Sequence, residues 1–362
     1  MVLRFVCILL CFSFLFGSEI GNAFQRGKAK GHIGLFSHLD FVGDSTFLDL
    51  NTSFSYQSAN FYGYKFFTSA WFNPPLYQVK DGFTKTKTWF EISELGLNFF
   101  NSKLNFGFDV GRFAYEADWV GNYVQGISFS HDYSPLISYG VTWINQSALI
   151  TNYKNTGFYP AENWLGAVLL DASFKIPNTV VKITPYIYSV ANMFWAPAIG
   201  AEANFSFLRW NANLIWKGTL LSYIAYHNKD YRGSGLLFYS DLTYRDKLRH
   251  LDVGGGIIAT NGVKDLAVFG QNTEFENIDG ILDGTSTTLY LFGKFHFPYD
   301  ISLKTAMRLS MRGKENIFDF ETRLSYLPIQ KLELGLDFFT LVGNEGQKKD
   351  SYTLRTFLQY HF

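Results

Sequence analysis

Counting back from the C-terminus, Phe362, Tyr360, Leu358, Thr356, Leu354 and Tyr352 occupy every second position, each apolar or a threonine. His361, Gln359, Arg355, Thr353 and Ser351 stand between them, and Phe357 alone breaks the pattern. A period of two marks a strand with one greasy and one wet face. The same alternation recurs between turn residues at 30–41, 46–58, 61–72, 87–100, 104–113, 124–133, 137–146, 164–175 and 180–190, and then at 198–208, 211–224, 234–245, 248–260, 287–297, 300–312, 316–327, 331–342 and 350–362. These are eighteen strands and an all-β chain; sixteen is the alternative count, because hairpins such as 180–208 can be drawn differently. A terminal edge strand leaves unpaired backbone groups that invite aggregation. Pairing it with the first strand closes a barrel and removes the edge.

The connections support closure. With the N-terminus on the periplasmic side, the turns at 58–60, 101–103, 134–136, 177–179 and 298–300 are short and rich in Asn, Pro, Ser or Asp. The long segments 73–86, 147–163 and 261–286 fall on the opposite side. Short periplasmic turns facing long external loops are the asymmetry of a transmembrane β-barrel in a bacterial outer membrane. Trp71, Trp89, Trp143 and Trp164 sit at the long-loop ends of strands, where an interfacial aromatic girdle is expected.

Composition narrows the class. The 362 residues carry no net charge, 19% aromatic and 17% charged residues, which argues against nucleic acid as a partner. The apolar run 5–17 follows Arg4 and precedes small residues, and it is too short to span a membrane as a helix. That layout predicts a cleaved signal peptide, 1–23, with the mature domain at 24–362; cleavage after Ser18 is the alternative. Both cysteines, Cys7 and Cys11, lie in that segment, so the mature chain has no disulfide, thiolate chemistry or cysteine metal site.

Three stretches resemble the OprD-like porins: "AFQRGKAKGHIGLF" after the signal, "NFYGYKFFTSAWF", and "ELGLNFFNSKLNFGFDVGRFAYEADWVGNYVQGISF". Within the last, Trp-x-Gly-Asn-Tyr-x-x-Gly is similar to outer-membrane proteins of ε-proteobacteria of the Helicobacter and Campylobacter type. The matches cover about the first third of the chain. The resemblance implies an 18-stranded barrel, monomeric or homotrimeric, that passes small solutes by a ladder of basic side chains. It also implies that the end of the chain, with Tyr360 and Phe362, is the outer-membrane signal read by the barrel-assembly machinery.

Alternation assigns faces. In 300–312, Lys304, Arg308, Ser310 and Arg312 point inward; in 316–327, Asp319, Glu321 and Arg323 do; in the last two strands, Glu333, Asp337 and Arg355 do. A Lys or Arg on the lipid side costs roughly 2–4 kcal/mol at mid-bilayer. Eighteen strands enclose an aqueous lumen, so these charges read either as a ladder guiding an anionic or zwitterionic solute or as salt bridges bracing a wet wall. Arg112 falls on the lipid face by parity, whereas the family's Gly-Arg turns to the pore; a bulge at Gly111 would reconcile the two.

The glycine run 252–259 is a strand bend rather than a nucleotide loop. The histidines lack metal-ligand spacing, Ser130 and His131 lie on opposite faces, and the acids Asp265, Glu274, Glu276, Asp279 and Asp283 read as a solvated external loop rather than a calcium site. The expectation is a non-enzymatic channel with no cofactor or metal, its partners being outer-membrane lipid, the assembly machinery and small solutes. The alternative is an adhesin or structural barrel with an occluded lumen.

Overall fold

The computed structural model describes residues 17–42, 46–79, 88–152, 154–160, 164–207, 209, 211–226, 233–267, 282, 284–313, 315–343 and 350–362. Most of the apolar run 5–17 lies outside these residues, as do Glu274, Glu276, Asp279 and Asp283.

Alternation becomes eighteen long antiparallel strands, β1 (Lys28–Asp40), β2 (Phe47–Gln57), β3 (Tyr64–Phe72), β4 (Phe90–Asn101), β5 (Phe106–Ala114), β6 (Tyr123–Ser134), β7 (Ile137–Ala148), β8 (Ala167–Lys175) and β9 (Val181–Val190), followed by β10 (Phe194–Phe207), β11 (Ala212–Ala225), β12 (Ser234–Asp246), β13 (Leu251–Val263), β14 (Gly284–Phe297), β15 (Ile301–Arg312), β16 (Glu315–Ile329), β17 (Leu332–Gly343) and β18 (Ser351–His361). Each pairs with the next, and β18 pairs back onto β1 with Leu358 opposite Leu35. The sheet is closed. Two short strands, Pro75–Gln78 and Tyr159–Pro160, lie beside β2 and β7. The largest shift from the expected boundaries is at β10, which starts at Phe194 rather than 198. Its turn is very tight, with Met193 N–H bonded to Val190 C=O at 3.1 Å and Asn192 at φ 62°.

The seam uses the last residue. Gly31 and Phe362 exchange both backbone hydrogen bonds, at 3.1 and 3.0 Å. A Cβ on Gly31 would stand 2.2 Å from the Ser53 carbonyl and 2.8 Å from the Phe362 ring, so only glycine admits this closure. Phe357, the exception in the alternation, turns inward and lies over Gly335, where a Cβ would come within 1.9 Å of its ring. It packs with Phe36 and Phe47 as a small inner cluster.

Outside, Leu35, Ile127, Ile199, Leu220, Leu236, Phe238, Leu289 and Leu291 are all exposed. So continuous an apolar belt on a closed barrel is a lipid-facing surface. Turns at one end place Asn105, Asn178, Asn211, Tyr299 and Asp300 in the left-handed region, consistent with tight connections. Trp89, Trp143 and Trp164 are exposed near the other end. Trp71 departs from the expected girdle: it faces inward, its ring 5.3 Å from the ring of His32 and edge-on to it. The register explains this, because Trp71 pairs with Ser53, a buried inner-face residue.

Before β1, helix α1 (Gly17–Gln25) docks on the periplasmic end of β2 and β3. Ala59 N–H bonds Ala23 C=O at 2.9 Å, and the Phe24 ring packs against Tyr56 and Phe66.

Candidate functional site

The barrel interior is not uniformly wet. On the external half of β8 to β13, the inner face carries Leu169, Tyr188, Phe194, Leu221, Leu237 and Ile258, all buried. The segment between β5 and β6 folds inward onto them. It is closed on itself by Tyr115 N–H to Asn122 C=O at 2.9 Å and Ala117 N–H to Val120 C=O at 2.8 Å. Trp119 and Val120 join the apolar cluster. Trp119 Nε1 donates to Tyr186 Oη at 2.7 Å, and Tyr186 Oη donates to Asp118 Oδ2 at 3.3 Å. Thr219 donates to the same oxygen at 3.4 Å. Burial pushes the Asp118 carboxyl above the ordinary carboxylate range, while these hydroxyls and the nearby Lys217 and Lys182 pull it back.

Beneath this ceiling lies a chamber of about 540 Å³, whose lining includes Glu116, Asp118, Lys182, Glu202, Lys217 and Lys294. Two register rows run through its wall. Strands of such barrels tilt by roughly 35–45°, so a row of directly paired residues climbs the wall as it passes from strand to strand. Across β9 to β16 the first row is Lys182, Glu202, Lys217, Asp241, Gly256, Tyr290, Arg308 and Asp319. From β12 across the seam to β1 the second is Arg245, Asp252, Lys294, Lys304, Arg323, Asp337, Arg355 and His38. It begins near the periplasmic end of β12 and finishes near the external end of β1.

The second row brings together Lys304, Arg323, Asp337 and Arg355, four of the residues expected in the lining. Arg323 binds Asp337 through two bonds of 2.8 and 2.7 Å, yet its side chain remains 44% exposed. Arg355 bonds His38 Nδ1 at 3.2 Å and lies over the Phe339 ring. Arg308 is different: its side chain is 0% exposed and bound to Asp319 at 3.1 and 3.2 Å. Alternation carries no information on depth, and at this depth Arg308 presents no charge to an open lumen. Glu321 is buried opposite Ala306. Arg312 pairs in register with Glu315 at the external rim, and Glu333 accepts from His361 Nε2 at 3.0 Å near the other.

Arg112 is fastened rather than free in the lumen. Its guanidinium bonds Glu91 at 2.7 Å, Ile92 C=O at 2.9 Å and Gln125 at 3.1 Å, and it lies over the Phe158 ring. The expected bulge is absent at this point: Gly96 pairs with Gly111 and Leu95 with Arg112 in unbroken register. Gly111 instead adopts φ 116°, and its missing Cβ is needed because one would lie 2.2 Å from the Leu95 carbonyl.

Sequence reasoning missed the polar network at the seam. His32 Nε2 donates to Asn51 Oδ1, leaving Nδ1 to accept from Ser53 Oγ at 2.8 Å. The assignment follows from Asn51, whose Oδ1 also accepts from Gln359 and whose Nδ2 donates to the Asn152 carbonyl.

No family model matches the sequence, and no curated protein matches it in sequence. Solved structures do match. Pseudomonas aeruginosa OccK3 (OpdO) superposes with TM-score 0.73 at 11% identity, over 97% of this chain and 99% of its own. P. aeruginosa OpdK, solved with vanillate, gives 0.73 at 8% identity over 93% and 99%. P. aeruginosa OccK2 (OpdF), in complex with glucuronate, gives 0.71 at 8% over 94% and 99%. The fold is that of the OprD/Occ porins. Strand number, closure and the apolar belt all agree with a bacterial outer-membrane β-barrel of this type.

Proposed function

We propose that this protein is an outer-membrane channel passing small hydrophilic solutes, with carboxylate-bearing ones favoured. The observation that carries the reading is the row from Arg245 to His38, in which five cations outnumber two carboxylates along a path from one end of the barrel toward the other. Fixed charge on a low-dielectric wall concentrates counter-ions and lowers the barrier for a carboxylate. Two similar barrels solved with vanillate and glucuronate point the same way. The test is conductance of the purified protein in a planar bilayer under a salt gradient. Ion conduction with an anion-leaning reversal potential is expected; a silent barrel would overturn the reading.

The second reading, an occluded structural or adhesive barrel, has the inward-folded segment 115–122 and its apolar bed in its favour. The same silent bilayer would support it. Neither reading calls on catalysis, and the hydrogen-bonded Ser53 and His32 are each only 7% exposed.

Three finer proposals accompany the channel. The mature chain begins at Phe24 or Glu19, which N-terminal sequencing checks. Tyr360 and Phe362 are read by the assembly machinery, so deleting Phe362 should abolish the heat-modifiable gel mobility of a folded barrel. Residues 119–126 mark kinship with ε-proteobacterial outer-membrane proteins; finding the stretch equally in the Pseudomonas barrels would remove that distinction.

A further inference from the structure

Near the external end of β2, Asp49 is 0% exposed, and neither of its carboxylate oxygens has a hydrogen-bond partner among the described residues. Its surroundings are apolar on one side: it pairs in register with Phe36, which with Phe47 belongs to the inner aromatic cluster. On the other side runs the segment that follows β3. Asp49 pairs with Pro75, and Leu50 N–H donates to Pro74 C=O at 3.1 Å. Asn73, one residue before Pro74, is also 0% exposed, and its Oδ1 likewise has no partner among the described residues.

A third element covers the place. Asn51, two residues from Asp49 on the same face of β2, donates from Nδ2 to Asn152 C=O at 2.9 Å. Asn73 Nδ2 reaches Thr151 C=O at 3.4 Å. Two successive carbonyls of the segment after β7 are thus held by side chains that bracket Asp49. A carbonyl has two lone pairs, so a carbonyl that accepts one amide bond can take a second partner.

An ionised carboxylate removed from water and from every donor is strongly disfavoured. The unpartnered atoms of Asp49 and Asn73 are oxygen acceptors, which a proton donor or a hard cation would satisfy. We propose that Asp49 and Asn73 form a site for a hard, oxygen-seeking cation, calcium first, with the Asn152 carbonyl beside it, and that the bound ion clamps the segment after β7 inside the external mouth. One carboxylate among neutral oxygens suits weak binding, of the kind found in extracellular calcium modules at about millimolar concentration.

The test uses the full-length barrel in detergent, stripped with a chelator and titrated calorimetrically with calcium, magnesium and sodium in separate runs. One calcium per chain is expected, together with slower tryptic cleavage at Lys154, which lies in the clamped segment. Binding of magnesium or sodium in its place supports the site and names the ion. Asp49→Asn should weaken binding by at least about tenfold, and Asn73→Asp, which adds a second carboxylate, should tighten it. Should Asp49→Asn fail to fold, Asn73→Ala is the variant expected to lose the ion. The proposal is overturned if no cation binds the wild type, or if a folded Asp49→Asn or Asn73→Ala binds calcium as tightly. Equal protection of Lys154 with and without calcium would remove the clamp.

Discussion

The row from Lys182 to Asp319 and the row from Arg245 to His38 climb the same wall, four residues apart on every strand they share. At about 3.3 Å per residue they lie about 13 Å apart along each strand. They are built from the same residue types and differ in order. In the first, Lys182, Lys217 and Arg308 alternate around the barrel with Glu202, Asp241 and Asp319, and its Arg308–Asp319 pair is sealed from solvent. In the second, Lys294, Lys304 and Arg323 stand consecutively. Charges whose direct cross-strand neighbours oppose them stiffen the wall; charges whose neighbours repeat them must direct their field elsewhere, into the lumen. Only the second row offers a solute a net charge.

The most severe way to break this contrast is at the sealed pair. Asp319→Ala removes the carboxylate that binds the buried Arg308, and losing one partner of a buried pair costs about 3–5 kcal/mol. We expect a sharply reduced yield of heat-modifiable barrel. Asp337→Ala in the other row should cost about 1 kcal/mol or less, because its partner Arg323 is 44% exposed. Equal losses in the two variants would erase the distinction.

Next in size is selectivity. Lys294→Ala combined with Lys304→Ala, which leaves the buried Asp337 its Arg323 partner, should lower the anion-to-cation permeability ratio about twofold or more at low salt. Reversal potentials measure it, and an unmoved potential would reduce both rows to bracing. Raising ionic strength should flatten the wild-type preference as the screening length falls from about 10 Å at 0.1 M to about 3 Å at 1 M.

The smallest effect comes from the ceiling. Asp118 has its carboxyl raised by burial, so the folded chain takes up this proton at higher pH than the unfolded chain does. Its contribution therefore favours the folded state below the ordinary carboxylate value and is lost as pH rises through the raised one. Mild acidification also removes a negative charge above the chamber, so anion preference should grow as pH falls. Asp118→Asn should abolish that step in reversal potential measured across a pH series.

Much of this was legible in the chain. Alternation located all eighteen strands because each has one face in lipid and the other inward, a requirement that leaves its mark on every second residue. It could not show depth. Arg308 and Arg323 have the same inward parity, and only the cross-strand register, which depends on how far neighbouring strands slide, buries one and exposes the other. By the strand bounds alone the segment 115–122 is a short connection; its apolar Trp119 and Val120 are the one signal in the sequence that it turns inward. Phe357 was visible as an anomaly but needed Gly335, distant in sequence, to explain it.

The seam between Gly31 and Phe362 has a kinetic consequence. Ser37 and Thr356, hydrogen-bonded at 2.7 Å across it, are 319 residues apart in sequence. Hairpins can form locally as the chain emerges, but no closing contact exists until the last strand has arrived. Pairings this distant are slow, because loop entropy is lost before any contact compensates it. Throughout that interval β1 and β18 are both open edges, the state most prone to joining another chain. The finished barrel has no edge to defend; the unfinished one has two, and its survival depends on how long it is kept from meeting another copy of itself.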